Sequence, residues 1–553
     1  MSASKPQKSL VRIGHSLNKN EEEFVKRRKD IVLKCLETLN INCSQVPNIA
    51  LLGSGGGERA MVGLLGSLDQ LGKAGLLDCF LYLSGVSGST WCMASLYQEP
   101  DWTSNLEAVK QKIVQRLSGG GVSWSEKCSK LKKYYHEKDI FSLTDVWAVM
   151  VVTSYVKEID EHTLSERSGK NSKDPYPIYT VIDKHCKLYK EADPWFESTP
   201  HEAGYSLIGA FVDVFGFGSQ FENGLEIKKQ PEIDMLYLQA LCGSALADED
   251  ENWKFLWEKI QEFFGHFKST NMFEEMQKDP ESPHVDIGYQ VLMDLVDMNL
   301  CVLNGIDPSP YDDSIRANLA ELSGGKSQLI LEIGELNITD KVAAKVYMKQ
   351  YTEYVCNNLS AWFSFWPIDC LTSIFLCMAG WIWGRKYNFL YNMTDGSVPS
   401  VLRTSKKRDY EDAALLLNSP FISVLREERD IDLIISLDFS DGDPFKTVTE
   451  AAKKCEDLKI PFPEIIIPTG ELVNPKDFYL FDGKGKAPTV IHIPLFNTVN
   501  CGDKLQEMRK KYCTFQRSYS HDMINELMEL AGKNITNNKE KLVEEIRKAA
   551  NEP

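Results

Sequence analysis

The sequence predicts an α/β fold, because two short glycine-rich strings each follow an apolar run of the kind that forms a buried strand. Gly53–Arg59 reads GSGGGER and follows the run 47–52, and Gly85–Ser89 reads GVSGS and follows the run 80–83. An apolar stripe at helical spacing lies between them, made of Met61, Leu64, Leu65, Leu68 and Leu71. Gly75 provides a stop for this helix. Strand, helix and strand in this order indicate a parallel sheet, so we expect a central, mostly parallel sheet flanked by helices.

The composition is that of a large globular protein. The chain has 553 residues, of which 43% are hydrophobic and 25% are charged, and its net charge is −17. So acidic a chain is a poor candidate for binding nucleic acid, whose phosphates would repel it. The same charge argues against docking on anionic lipid through a broad basic surface.

The cysteine pattern and the chain ends predict a reduced, cytosolic protein without a metal. None of the 14 cysteines forms a C-x-x-C pair or a zinc-like spacing with histidine, and no EF-hand string is present. Residues 1–29 are polar and lack the apolar core of a signal peptide. Residues 549–553 do not form a prenylation box. We expect no cofactor, no metal and no obligate protein partner.

The pattern along the chain predicts an N-terminal helical arm over residues 1–45 and a single catalytic domain over 46–553. Insertions around 100–180 and 245–380 are expected to surround the core of that domain as helical segments that form a cap or lid. Residues 20–40 have helical apolar spacing, and the basic run 26–29 is interpreted as the solvated face of that helix, or alternatively as a contact for lipid headgroups. Later strands are expected at 433–437, 465–467 and 490–494, followed by helices over 503–550.

The stretch 362–383 is unusually apolar, with Asp369 as its one charge and four tryptophans among its residues. Its length is close to that of a membrane span, but Pro367 and Gly380 interrupt it. Three interpretations stay open: buried core, a lid that touches lipid, and a transmembrane helix. Tryptophan favours interfaces, because one end of its ring system is apolar and the other can be hydrated.

The two strings carry the candidate chemistry. Ser87 lies in a variant of the G-x-S-x-G turn that exposes a nucleophile, with Ser89 in place of the last glycine. The glycines of the first string can turn backbone N–H groups toward an oxyanion, and Arg59 follows in the first turn of the helix. A dinucleotide-binding interpretation of Gly55-x-Gly57 lacks the acidic residue that it needs after the next strand, and a P-loop is excluded.

These residues resemble the cytosolic phospholipase A2 (group IV) family, and most closely its gamma type, which has no C2 domain. The resemblance rests on Gly53–Ala60 and on Ser84–Trp91, which reads SGVSGSTW. Further matches are Trp195–Pro200, Asn388–Tyr391, Asp438–Phe445, Pro461–Pro463 and His492–Asn497. It covers nearly the whole chain from about residue 23 onward.

The resemblance implies a patatin-like α/β catalytic domain that works through a Ser–Asp dyad. Ser87 matches the family nucleophile, and Asp412, in the string DAAL, matches the general base. Gly56 and Gly57 match the oxyanion donors, and Arg59 matches the arginine that holds the substrate phosphate.

Two positions depart from the family pattern. Glu58 replaces an aromatic or aliphatic residue, and is expected either to pair with Arg59 or to face solvent. Ala414 replaces a glycine; if that position needs a positive φ, alanine costs about 1 kcal/mol and displaces Asp412.

The implied function is calcium-independent hydrolysis of fatty-acyl esters of glycerophospholipids, with lysophospholipase and O-acyltransferase activity. The expected partners are a phospholipid membrane surface and lysophospholipids. The expected location is the cytosol, with peripheral association with intracellular membranes such as the endoplasmic reticulum. Two alternatives stay open: a lipid-binding pseudoenzyme weakened by Ala414, and an esterase with a Ser87–Asp412–His492 triad, whose members occur in α/β-hydrolase chain order.

Overall fold

A computed structural model describes residues 9–167, 172–244, 249–268, 284–324, 336–514 and 516–551. The chain divides into two compact units. The first comprises Met1–Gly121, Val152–Ala245 and Lys386–Pro553, and the second comprises Val122–Val151 and Leu246–Arg385. Residues 1–8 of the predicted N-terminal arm, and the last two residues of the chain, lie outside the described residues.

The strands occur almost entirely in the first unit. They are β1 Val11–Ile13, β2 Ile49–Gly53, β3 Tyr82–Gly85, β4 Tyr176–Asp183, β5 Trp195–Ser198, β6 Glu202–Tyr205, β7 Ala210–Asp213, β8 Gln220–Glu222, β9 Leu225–Lys228, β10 Arg385–Tyr387, β11 Lys407–Asp412, β12 Leu433–Asp438, β13 Tyr479–Phe481 and β14 Thr489–Pro494. The main sheet has the order β1-β7-β6-β5-β4-β3-β2-β12-β14-β13, and β11 also pairs with β4. Strands β8 and β9 form a separate hairpin.

The sheet is mixed rather than mostly parallel. Strands β4, β3, β2, β12 and β14 are parallel neighbours, as expected for the part that carries the two glycine-rich strings. The side from β4 to β1 is antiparallel; β5, β6 and β7 follow one another through short turns, and helix Lys184–Tyr189 connects β4 to β5. The predicted parallel sheet is therefore correct only for the centre. All residues of β2, β3 and β4 are buried, as strands covered on both faces must be.

The α-helices of the first unit are α1 Lys19–Thr38, α2 Gly57–Lys73, α3 Gly88–Leu96, α4 Leu106–Ser118, α7 Thr153–Val156, α8 Lys184–Tyr189, α9 Met235–Cys242, α15 Ser400–Thr404, α16 Phe421–Val424, α17 Lys446–Leu458, α18 Thr498–Cys501, α19 Leu505–Lys511, α20 His521–Asn537 and α21 Lys539–Asn551. Those of the second unit are α5 Trp124–Glu137, α6 Leu143–Trp147, α10 Glu249–Lys268, α11 Val285–Leu303, α12 Ser309–Leu322, α13 Lys341–Trp362 and α14 Ile368–Gly380. Helix α2 ends as the sequence predicts, since Gly75 has φ +76 just beyond it.

The N-terminal helix α1 is docked onto the core and is not a solvated arm. Arg28, in the basic run predicted to face solvent, is 2% exposed and donates hydrogen bonds to the Phe80 carbonyl (2.9 Å) and the Asp78 carboxylate (3.0 Å). Its other hydrogen bonds also go to backbone carbonyls, because a buried guanidinium needs acceptors for its donors. The predicted solvated face is therefore wrong at Arg28.

A buried ion network joins α1 to strand β5. Arg429 donates to Glu21 at 2.9 Å and to Glu197 at 2.7 Å, and Arg426 donates to Glu197 at 2.8 Å. Every one of these side chains is at most 1% exposed. The two arginines lower the pKa of Glu197 to about 2 despite its burial, so this carboxylate stays ionised.

One predicted strand is absent. Residues 461–468, all within the described part of the chain, form no regular element, although 465–467 is an apolar run. Pro461, Pro463 and Pro468 lack the N–H groups that a strand ladder needs, and Ile466 is 67% exposed. The proline spacing outweighs the apolar pattern.

The tryptophan-rich stretch 362–383 belongs to the core of the second unit. It forms the end of α13, the helix α14 and the turn that follows. Trp381 stacks on Trp253 with ring centroids 5.5 Å apart, and Trp383, which is 5% exposed, packs edge-on against Trp147. None of the described helices combines the length and apolar character that crossing a bilayer requires. The buried-core interpretation is the one that these contacts support.

Helix α2 packs tightly against α20, and this contact predicts the effect of a glycine substitution. A Cβ at Gly66 would lie 2.5 Å from the carbonyl oxygen of Met528 and 2.6 Å from its Cα, and both are backbone atoms that cannot yield. We expect Gly66→Ala to destabilise the protein by about 2 kcal/mol, although alanine is the better helix former. Denaturant unfolding of the purified protein, followed by circular dichroism, measures the change.

The matched control is Gly265→Ala in helix α10, where an added Cβ meets no atom within 4 Å. This variant should be unchanged, or more stable by up to about 1 kcal/mol, because alanine lowers the backbone entropy of the unfolded chain. Equal stability of the two variants would contradict the steric argument.

Candidate active site

Ser87 lies on a strained turn between β3 and α3. Its backbone has φ 51 and ψ −123, a conformation that L residues rarely adopt, and it is the N-cap residue of α3. Such strain is characteristic of functional turns that aim a side chain. The turn is held by a hydrogen bond from the Val86 N–H to the Gly53 carbonyl at 3.1 Å, so the two glycine-rich strings are adjacent.

The glycine loop lies directly against this turn. Gly56 has φ +150 and Gly57 has φ +57, both in the region that favours glycine. A Cβ at Gly88 would collide with the Gly57 carbonyl oxygen, so only glycine at position 88 allows this approach of the two backbones. Among the described residues, the N–H groups of Gly56 and Gly57 have no protein acceptor. They are therefore available to a ligand at the start of α2.

Strand β4 brings the end of β11, which carries Asp412, close to the end of β3. Gly85, at the end of β3, pairs with Tyr179 of β4, and Asp412, at the end of β11, pairs with Val181. Strand β5 occupies the opposite edge of β4, so β3 and β11 must share one edge and meet end to end. Asp412 thus lies about 7 Å further along β4 than Gly85, beyond the end of β3 from which the turn with Ser87 begins.

Cys242 of helix α9 gives a second indication of this proximity. Burial raises the pKa of the Cys242 thiol, and the Asp412 carboxylate raises it further, while a hydrogen bond with Thr90 opposes the shift. Thr90 also donates to the Ser87 carbonyl, so one buried thiol is bonded to the first turn after the serine and lies within electrostatic range of the aspartate.

Ala414 does not displace Asp412. It lies in a short 3₁₀ turn, Ala413–Leu415, and is not among the described residues with positive φ. Its N–H donates to Asp412 Oδ1 at 2.8 Å and so helps to hold the fully buried carboxylate. The expected cost of alanine at this position is therefore not incurred.

Arg59 is buried and bonded to the protein. Its side chain is 2% exposed. It donates to the Phe439 carbonyl at 2.5 Å, to the Tyr512 carbonyl at 2.6 Å and to Asp441 at 3.0 Å, with a longer bond to Thr514. The guanidinium also lies beneath Gly56, where Nη2 is 2.8 Å from the position that a Cβ would occupy. Arg59 therefore supports the glycine loop; a phosphate would have to use its remaining Nη2 hydrogen or replace one of these partners.

Glu58 neither pairs with Arg59 nor faces solvent, contrary to both sequence-based expectations. It is 3% exposed, and its Oε2 accepts a hydrogen bond of 3.0 Å from the Tyr519 N–H, while the buried Oε1 has no partner. Burial raises its pKa to about 8, with the Tyr519 hydrogen bond and the charge of Lys157 opposing the shift. Glu58 thus ties the segment before α20 to the start of α2.

His492 lies too far from Ser87 to act as its base. In the sheet register His492 is level with Ser436, Leu52 and Ser84, which puts it three strands, or about 14 Å, from β3. It is fully buried, and its Nε2 lies 2.6 Å from the Pro444 carbonyl, which assigns a proton to that nitrogen. The residue is a hydrogen-bonded core histidine.

Sequence reasoning missed Asn418, whose backbone and side chain both bond to Gly55. It follows Asp412 by a few residues, and no local pattern marks it. Within the described ranges no group of three or more histidine, cysteine or acidic side chains is placed to hold a metal ion.

Comparison with known proteins identifies the class. A model of the lysophospholipase catalytic domain family matches residues 49–248, which contain Ser87 and the glycine loop. Together with the mixed α/β sheet, this makes the chain a phospholipase-type hydrolase that acts on phospholipid esters.

The family follows from relatives that match almost the whole chain. Cytosolic phospholipase A2 gamma of Mus musculus is 33% identical over 97% of this chain and 92% of its own length, and that of Homo sapiens is 32% identical over 98% and 97%. The chain belongs to the cytosolic phospholipase A2 family.

Solved structures agree with the fold. Human GIVD cytosolic phospholipase A2 superposes with a TM-score of 0.67 at 21% identity, covering 99% of this chain and 69% of that one. The same protein in complex with methyl γ-linolenyl fluorophosphonate gives a TM-score of 0.64 at 22% identity, covering 99% and 66%. At these identities the likeness shows the fold alone, a patatin-like α/β catalytic domain.

The raised pKa of Glu58, about 8, predicts a pH dependence of stability. The native state keeps the proton on Glu58 between about pH 4.3 and pH 8, whereas the unfolded state loses it. The free energy of unfolding therefore falls as pH rises through this window, by about 2–4 kcal/mol. Glu58→Gln, which keeps an acceptor for Tyr519, should remove this part of the slope and be the more stable protein at pH 8. Urea unfolding at a series of pH values measures both slopes.

Glu529→Gln is the control, because Glu529 lies on α20 with 71% of its side chain exposed. It should keep the wild-type slope. If Glu58→Gln kept that slope as well, the carboxyl would not titrate in this window and the assignment would be wrong.

Proposed function

We propose that this protein hydrolyses fatty-acyl esters of glycerophospholipids through a Ser87–Asp412 dyad. The observation that carries the proposal is the common edge of β4, along which Asp412 at the end of β11 follows Gly85 at the end of β3, and this supports a short distance from Asp412 to the turn that holds Ser87. The position of His492 three strands away supports a dyad over a triad.

The reaction uses groups that the two loops hold in place. Asp412 accepts the proton of the Ser87 hydroxyl as the oxygen attacks the ester carbonyl. The N–H groups of Gly56 and Gly57 stabilise the resulting oxyanion. Collapse of the tetrahedral intermediate expels the lysophospholipid alkoxide, which takes the proton back from Asp412. Water then attacks the acyl-Ser87 ester by the same steps and releases the fatty acid.

The acyl-enzyme also supports lysophospholipase and O-acyltransferase activity. A lysophospholipid is itself an acyl ester, so the same attack by Ser87 applies to it. A lysophospholipid hydroxyl can replace water in the second step, and the acyl group then passes to that hydroxyl. We assign to Arg59 the support of the glycine loop, with phosphate binding through its remaining N–H.

Calcium is not part of this proposal, since neither the dyad nor the oxyanion donors need a metal. The protein would act from the cytosol at the surface of intracellular membranes, where its substrate lies. The tryptophan-rich stretch is packed within the second unit and offers little to such a surface, so lipid contact would come from other exposed apolar groups.

The test is the hydrolysis of a phospholipid in vesicles together with labelling by a fluorophosphonate, the kind of inhibitor bound in the related human structure. Ser87→Ala should lose the label and lower kcat by at least about 10³-fold. Asp412→Asn should lower kcat by about 10²- to 10⁴-fold, because the general base is lost while the fold survives.

His492→Gln is the matched control, since it removes the imidazole but keeps a donor for the Pro444 carbonyl. Its kcat should stay within about threefold of the wild-type value, an effect too small for loss of a general base. A loss as large as that of Asp412→Asn would favour the triad. A folded wild-type protein that takes no label at Ser87 would favour the lipid-binding pseudoenzyme.

A further inference from the structure

Asn418 clamps the glycine loop at Gly55. The Gly55 N–H donates to the Asn418 carbonyl at 2.9 Å, and the Asn418 side-chain amide donates to the Gly55 carbonyl at 3.2 Å. Both polar groups of one backbone residue are thus satisfied by one asparagine. The next two residues of the loop are Gly56 and Gly57.

The clamp extends to the end of strand β12. The Asn418 amide also donates to Ser440 Oγ at 3.0 Å, and Ser440 donates to Asp438 at 2.6 Å. Asp438 also accepts a hydrogen bond of 3.1 Å from Ser54 in the glycine loop. The hydrogen bonds therefore close a ring through Gly55, Asn418, Ser440, Asp438 and Ser54, which fixes the loop more firmly than any single bond would.

The contact also reaches the nucleophile. A Cβ at Gly55 would overlap Asn418 Oδ1 and lie 3.0 Å from the Ser87 Cβ. Asn418 and Ser87 therefore flank the same small space above Gly55. Asn418 lies on the segment that follows Asp412. Its hydrogen bonds therefore hold that segment against the glycine loop.

We propose that Asn418 is a positioning residue that fixes the oxyanion loop relative to Ser87 and Asp412. This inference rests on the proposed function, since it assigns Asn418 a part in that reaction. It needs no contact between Asn418 and the substrate: the side chain acts through Gly55 on the N–H groups that follow.

The test compares Asn418→Ala with Asn358→Ala, whose amide is likewise half-buried but bonds to the Tyr354 carbonyl of its own helix. Asn418→Ala should lower kcat by about 10- to 100-fold, less than loss of a whole oxyanion donor, with KM within about threefold of wild type. Rates are taken per fluorophosphonate-titrated site, so that misfolded protein is not counted. Asn358→Ala should match wild type.

A double-variant cycle tests the contact itself. Gly55→Ala should be strongly impaired, because its methyl group meets the Asn418 side chain. In Gly55→Ala/Asn418→Ala the overlap with Asn418 is gone and the closer approach to the Ser87 Cβ remains, so the double variant should be less impaired than the product of the two single losses but no more active than Asn418→Ala alone. Independent losses, or an unchanged kcat in Asn418→Ala, would overturn the proposal. Full activity of Ser87→Ala would instead overturn the proposed function.

A separate observation concerns a pair of thiols. Cys35 of α1 and Cys79, in the turn before β3, have their Sγ atoms 3.2 Å apart, joined by a hydrogen bond. Cys35 is partly exposed, whereas Cys79 is buried. The hydrogen bond with the Cys79 thiol lowers the pKa of Cys35 against its burial and the charge of Asp78, with a smaller lowering by the Arg28 guanidinium, while the Cys35 thiol also donates to the Gly75 carbonyl at 3.2 Å.

We infer that Cys35 and Cys79 form an oxidation site that hydrogen peroxide converts to a disulfide. The Cys35 thiolate attacks one peroxide oxygen; the O–O bond breaks, giving a sulfenic acid and, with one proton, water. The Cys79 sulfur then attacks the Cys35 sulfur, its proton leaves with the hydroxyl as a second water, and the S–S bond forms. The two thiols lose two electrons and the peroxide gains them. The product ties α1 to the segment that leads into β3.

Hydrogen peroxide treatment of the whole protein, followed by non-reducing digestion and mass spectrometry, tests this. The Cys35 and Cys79 peptides should appear as one species, lighter than their sum by the mass of two hydrogens, and reduction should separate them. Cys79→Ser should yield sulfenic acid at Cys35 that a dimedone probe captures, and Cys35→Ser should yield neither product. Failure of the wild-type peptides to join, in protein whose exposed Cys513 has been oxidised, would overturn the inference.

Discussion

The arrangement of the candidate site depends on one edge of strand β4. Strand β3 occupies the first part of that edge and β11 the last part, so the end of one strand faces the end of the other. Ser87 and Asp412 are far apart in the chain. Ser87 follows β3, and Asp412 is the last residue of β11. Because β5 fills the opposite edge, β11 has no alternative position beside β4. Pairing within the sheet thus brings the end of β11 next to the end of β3.

The buried ion network holds β5, the strand that occupies the opposite edge of β4. Glu197 of β5 is bonded to two arginines, and one of them also bonds to Glu21 of helix α1. Burying so many charges is costly, and a single unpaired member would be more costly still. The set is satisfied only when β5, α1 and the 426–429 segment come together. The N-terminal helix is in this way part of the structure that holds β4.

Much of this arrangement could be predicted from the sequence, and the part that could not is long-range. The two glycine-rich strings are local features, so the order of strand, loop and helix around each of them was predicted correctly. Asp412 was found through the family resemblance. The burial of Arg28 and Arg59, and the bonds of Asn418 to Gly55, depend on partners distant in sequence, and no spacing rule indicates them. The strand predicted at 465–467 is absent for a different reason: the flanking prolines lack the N–H donors that a strand needs.

The surroundings of Ala414 and Glu58 show that neither departure from the family pattern has the effect expected from the sequence. Ala414 raised the doubt that the aspartate is displaced, but its backbone does not need a positive φ, and its N–H bonds to that aspartate. Glu58 raised the doubt that Arg59 is neutralised, but its carboxyl turns away toward the backbone of Tyr519. Arg59 is bonded instead to three carbonyl or carboxylate groups of two other segments. The glycine loop therefore contacts Arg59 on one side, is bonded to the segment before α20 through Glu58, and is bonded to Asn418 at Gly55. A site whose supports are this complete gives no physical reason to expect that turnover has been lost.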